Sequence, residues 1–71
     1  MITLFNGRIA LDSIETVSGD TKTGKVVMVA AGITEVKAGD RVIYQKAASR
    51  NVRYDDKEYV LVKFSEIDGK L

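Results

Sequence analysis

The sequence predicts an all-β fold, a small and partly open barrel of about five to seven short strands. Three observations point there. The stretch Val36-Lys37-Ala38-Gly39-Asp40-Arg41-Val42-Ile43-Tyr44 runs from a Gly-Asp turn straight into β-branched and aromatic residues, and a second such run, Tyr59-Val60-Leu61-Val62, follows after a polar loop. Nowhere does a useful length of chain space its apolar residues as a helix requires. The chain contains no proline, so its turns depend on Gly, Asp and Asn.

The elements follow in order. Arg8-Ile9-Ala10-Leu11, after the turn-like Asn6-Gly7, alternates so that Ile9 and Leu11 share a face, and reads as the first strand. Residues 12–24 are polar and glycine-bearing and read as a loop with a mobile centre. Lys25-Val26-Val27-Met28-Val29-Ala30 is apolar on both faces, as a central strand is, and Ala31-Gly32 ends it. Residues 33–37 read as a short extended link, Ala38-Gly39-Asp40 as a turn, and residues 41–45 as the next strong strand. Residues 46–51 break the pattern, Val52-Arg53-Tyr54 reads as a short strand, and Asp55-Asp56-Lys57 as a turn. Residues 58–64 alternate again, with Val60, Val62 and Phe64 facing one way and Tyr59 and Leu61 the other. Ser65-Glu66 fits one helical turn begun by a serine cap, and residues 67–71 a short terminal strand.

Seventy-one residues predict a single domain over residues 1–71, near the size at which one core stops stabilising itself. With neither cysteine nor histidine, disulfides and Cys/His zinc sites are excluded, which leaves oligomerisation as the expected reinforcement. The 11 basic and 10 acidic residues balance to a net +1, against the basic excess of a dedicated nucleic-acid binder. No apolar run reaches the length of a membrane span, and Met1-Ile2-Thr3-Leu4-Phe5 lacks the parts of a secretory signal; a cytoplasmic protein is expected.

Several chemical readings fall away on geometry. Adjacent carboxylates Asp55 and Asp56 point to opposite faces of a strand, so a hairpin turn is the better reading than acid/base or metal work. Glu58, Glu66 and Asp68 form no catalytic set without a histidine, and the serines lack a base, so neither an enzyme nor a cofactor is expected. Thr23-Gly24-Lys25 superficially resembles the end of a P-loop, but Val26 follows where Ser or Thr is required. Lys46, Arg50 and Arg53, with Tyr44 and Tyr54 as stacking platforms, would make a nucleic-acid face; a solvated loop whose aromatics pack inward is the favoured reading. The apolar ends are more informative. Residues 1–5 and 67–71 are strand-forming margins that invite pairing with another subunit, with Ile2, Leu4, Phe5, Ile67 and Leu71 as interface candidates.

Four stretches, in order, resemble the co-chaperonin GroES family. Phe5-Asn6-Gly7-Arg8-Ile9-Ala10-Leu11 stands where that family has apolar-x-x-Arg-Val-x-Val, and Gly24-Lys25-Val26-Val27-Met28-Val29-Ala30 where it has Gly-x-Val-x-x-Val-Gly. Residues 36–44 match Val-Lys-x-Gly-Asp-x-Val-x-Phe/Tyr, and Lys57-Glu58-Tyr59-Val60-Leu61-Val62 with Phe64-Ser65-Glu66-Ile67 resembles the C-terminal pattern. The resemblance covers nearly the whole chain with two gaps. The loop over residues 13–23 is shorter than the family's mobile loop and lacks its docking triplet, which leaves Ile14 and Val17 as the only apolar candidates. The family's roof hairpin is replaced by the bare link Ala31-Gly32-Ile33-Thr34-Glu35.

The resemblance implies a GroES-like barrel, assembled as a homo-oligomer, a heptameric ring, that caps a GroEL-type chaperonin and assists protein folding. Ile14 and Val17 are the expected partner-binding residues. The trimmed appendages also admit a second reading, a ring-forming structural or assembly module, of viral origin in one version and then located in the host cell, that keeps the barrel without binding a chaperonin. A nucleic-acid-binding SH3-like barrel is a third reading.

Overall fold

A computed structural model of the chain describes residues 7–71. Six strands, β1 (Arg8–Ser18), β2 (Thr21–Val29), β3 (Arg41–Gln45), β4 (Ser49–Tyr54), β5 (Lys57–Lys63) and β6 (Ile67–Lys70), form one antiparallel sheet in the order β4-β5-β1-β2-β3-β6. Two 3-10 turns, Lys46–Ala48 and Phe64–Glu66, link β3 to β4 and β5 to β6. The sheet curls over a single apolar core and leaves β4 and β6 as free edges among the described residues, as a partly open barrel does.

Side-chain alternation explains the core. Ile9 and Leu11 of β1, Val26 of β2, Val42 and Tyr44 of β3 and Val62 of β5 point inward and are shut off from solvent, with Val36 closing one end. Val60, Phe64 and Ile67 pack against this cluster from the sides. The opposite face of β1 is also shielded, since Ala10 lies opposite Met28 and Leu61 and is itself inaccessible. That arrangement is why the second strand is apolar on both faces.

The Gly-Asp stretch owes its composition to one turn. Asp40 accepts the Lys37 N–H on its side chain at 3.0 Å and returns its own N–H to the Lys37 carbonyl at 3.1 Å. Gly39 takes φ +100°, which a Cβ would strain. The Gly39 N–H then donates to the Val26 carbonyl at 2.8 Å and the Val26 N–H to the Asp40 carbonyl at 2.7 Å, clipping the turn onto β2. This fixes the register Lys25↔Arg41 from which β3 runs. The link between β2 and β3 contains no strand, but it is not bare. Ile33 is half-buried against the core and Val36 is part of it.

Three local expectations change. Residues 12–24 are not a loop: the register of β1 with β2 continues to Ser18↔Thr21, making a hairpin closed at Gly19-Asp20. The strand β4 begins at Ser49, three residues before Val52, because an edge strand needs no inward apolar partner at every second position. The last turn is 3-10 and its cap is Lys63, with no side-chain capping bond; Ser65 sits inside it.

Asp55 and Asp56 form the two-residue turn between Tyr54 and Lys57, with φ +54° and +63°. Both central residues of a type I′ turn need positive φ, and Asn-Gly meets that demand better than two carboxylates. Asp55→Asn with Asp56→Gly should therefore stabilise the fold by about 1 kcal/mol, a rise of ~4–8 °C in Tm. Thermal denaturation measures it, and a fall in Tm would show that the aspartates support the turn through their side chains.

Candidate functional site

The hairpin made by the far halves of β1 and β2 is the feature best placed to meet a partner. β1 pairs with β5 only from Arg8↔Lys63 to Leu11↔Val60. Beyond Leu11 the two strands part, and residues 12–18 keep β2 as their sole strand neighbour among the described residues. β2 is in turn backed by β3 from Lys25↔Arg41 to Thr21↔Gln45. The result is an arm with one supported flank and one open flank. An open cleft of about 600 Å³ lies where β1 and β5 diverge, bounded by Leu11, Ile14, Tyr44 and Val60. At its throat Asp12 keeps Oδ1 out of solvent with no hydrogen-bond partner among the described residues.

The base of the arm is a β-bulge. Between Asp12↔Lys25 and Glu15↔Thr23, β1 uses one more residue than β2, and Ser13 takes φ +52°. The extra residue turns Ile14 toward the core, where it packs half-buried. Gly24 makes room for it. A Cβ at that position would stand 2.7 Å from the Ile14 Cδ1 and 3.1 Å from the Leu11 Cβ. Gly24 is thus a packing glycine and not a phosphate-binding one.

Polar bonds fasten the remainder. The Arg41 Nη2 donates to the Ser13 carbonyl at 2.6 Å and lies 3.0 Å from Glu15 Oε1. The Lys22 Nζ donates to Thr16 Oγ1 at 2.9 Å, and the Lys46 N–H donates to the Asp20 carbonyl at 2.8 Å. Gln45 Nε2 donates to Thr21 Oγ1 at 3.1 Å and to Asp68 Oδ2 at 3.3 Å, tying β6 to the arm near its tip. A second shift between Thr16 and Ser18 throws Val17 outward, leaving it 60% exposed, a high value for an apolar side chain in a strand.

Ile14 and Val17 thus stand on one arm in different environments: Ile14 is inserted at the base and Val17 presented near the tip. Of the interface candidates, Ile2, Leu4 and Phe5 lie outside the described residues. Ile67 flanks the core, while Leu71 is 67% exposed and donates its N–H to the Arg41 carbonyl at 2.7 Å, carrying the line of β6 past Lys70. Tyr44 is 1% exposed, and burial pushes its phenol above the usual pKa of 10.0. It is a core residue and offers no face to a nucleobase. Sequence reasoning missed Arg41 and Gly24, both of which act on residues distant in the chain. No group of three or more acidic residues close enough to hold a metal ion occurs among the described residues, and none of their helices is long and apolar enough to cross a membrane.

Comparison with known proteins gives a consistent result. The co-chaperonin GroES of Thermodesulfovibrio yellowstonii is 41% identical over 46 residues, which cover 65% of this chain and 52% of that protein. The co-chaperonin GroES of Geobacillus kaustophilus is 37% identical over 62 residues, covering 75% of this chain and 67% of that protein. The Halalkalibacterium halodurans protein of the same name is 37% identical, at 75% and 66% coverage. The chain therefore spans about half to two thirds of the length of the curated relatives it matches. The family model for the chaperonin 10 kDa subunit matches residues 6–71, from ahead of β1 through the last described residue. With the curled sheet, the clipped Gly-Asp turn and the strand order all inside that match, this chain belongs to the chaperonin 10 kDa subunit (Cpn10) family.

Proposed function

We propose that this chain is a co-chaperonin subunit that assembles into a ring, caps a chaperonin chamber and assists protein folding without catalysing a reaction itself. The supporting observation is the outward Val17 on an arm that occupies the chain position of the family's mobile docking loop. Val17 is the anchor that the folded arm presents. Ile14, packed against the core at the arm's base, holds the arm in the shape that presents Val17. A single valine contributes modestly, about 1.5–3 kcal/mol on full burial, and repetition around a ring makes a weak contact sufficient. We assign the ring, a heptamer by family resemblance, to pairing between the β6 margin with Leu71 and the residues around Ile2, Leu4 and Phe5 of a neighbouring copy. A heterologous contact of that kind closes when its rotation divides the circle. The cytoplasm is the compartment in which such a partner is met.

Co-purification with a GroEL-type chaperonin in the presence of nucleotide tests the reading. Val17→Asp should abolish capture while leaving the circular dichroism spectrum unchanged, because Val17 supports nothing in the core. The double substitution Ile14→Asp with Val17→Asp should do no less. Undiminished capture by Val17→Asp would remove the anchor assignment. Rings that form by native mass spectrometry yet never bind a chaperonin would establish the assembly-module reading instead.

A further inference from the structure

We infer that Arg41 is a positioning residue that braces the arm in its hairpin shape before any partner arrives. The inference deepens the docking role proposed above and rests on it for its functional meaning. Its structural content stands on geometry alone. Arg41 belongs to β3, and the groups it holds belong to β1, with β2 between them. One guanidinium nitrogen reaches across a whole strand to the Ser13 carbonyl and the Glu15 carboxylate, 28 and 26 residues away in sequence.

The position of that reach is telling. Ser13 is the left-handed residue of the bulge, so its carbonyl departs from the ladder that β2 would otherwise satisfy. A cation at 2.6 Å replaces the missing partner with a charge-assisted bond, among the stronger kinds. That one nitrogen carries two N–H groups, one for each acceptor, and the planar guanidinium holds them in fixed directions. Glu15 is largely exposed, so the ion pair alone is worth little and the carbonyl bond carries most of the effect. On the flank toward β5 the arm has no strand to lean on, and its ladder with β2 is interrupted twice. Arg41 fastens the near end, and the bond from the Lys46 N–H to the Asp20 carbonyl fastens the far end. An arm already ordered loses less conformational freedom on docking, and a ring gains from that in every subunit.

Peptide-resolved amide hydrogen exchange on the intact free protein tests the brace. In Arg41→Gln, exchange over residues 13–18 should rise about tenfold, while peptides containing Ile9, Leu11 and Val62 keep their wild-type rates. Arg41→Lys should restore part of the protection, because the ammonium keeps the charge and the donors on a shorter, more flexible side chain. Glu15→Gln, which leaves the carbonyl bond in place, should raise exchange by less than about threefold. Unchanged exchange in Arg41→Gln overturns the inference, and so does an equal acceleration in core peptides, which would mark general destabilisation. Chaperonin capture separates the two layers. Loosening of the arm with capture weakened about tenfold supports both; loosening with undiminished capture upholds the brace and overturns docking through the arm.

Discussion

Leu11→Ala is expected to remove about half of the fold's stability. Leu11 is wholly inaccessible, sits at the last rung before β1 leaves β5, and contacts the space that Gly24 keeps open. Truncating a leucine so placed costs about 2–5 kcal/mol. A domain of this length has about 4–10 kcal/mol in total. The neighbours cannot collapse into the gap easily, since they are held by two strand ladders and are themselves fully buried. Urea denaturation followed by circular dichroism gives the midpoint shift directly. A loss below about 1 kcal/mol would mean that the cleft beside Ile14 reaches Leu11 and already relieves its packing.

Gly24→Val carries the second large effect, and its sign is decided by a close approach. Valine favours strands, and by propensity alone the substitution would help. The register forbids that benefit. The new Cβ would meet the Ile14 Cδ1 at 2.7 Å and Leu11 carbons at 3.0 and 3.1 Å, and a β-branched residue adds two methyl groups beyond it. Ile14 can swing away, but the Leu11 Cβ is fixed to the backbone of β1. Overpacking of this kind costs about 1–3 kcal/mol. The expected outcome is a folded core with Ile14 expelled from the arm's base, seen as lost protection over residues 13–17 and a lower Tm. A variant as stable as the parent, with the arm still protected, would show that β1 can shift at the bulge to make room.

How much of this was legible in the sequence depends on where the alternation survives. Ile9 and Leu11, Val42 and Tyr44, and Val60 and Val62 alternate without interruption, and the core follows from them. The Gly-Asp turn was legible because its residues bond one another locally. The arm was not. Its strands carry Ser, Glu, Thr and Lys at positions facing solvent, so no apolar period marks them, and two bulges shift the phase within a few residues. That phase shift is why Ile14 and Val17 looked equivalent and are not. The Ser18-Gly19-Asp20-Thr21 turn and the Thr-rich stretch beside it were the available signals for a hairpin. Arg41 and Gly24 needed the register itself, because each acts across strands on residues that no local window contains.

The two margins of the sheet differ in how open they are to an added strand. β4 lines one rim with Arg50, Asn51 and Arg53 exposed, a cationic border that repels the same border of another molecule and discourages stray strand addition. The opposite rim ends in a four-residue strand followed by an exposed leucine. Growth by edge pairing is therefore barred on one side and inviting on the other. A strand added to this sheet would thus meet the short, leucine-ended rim and not the cationic one.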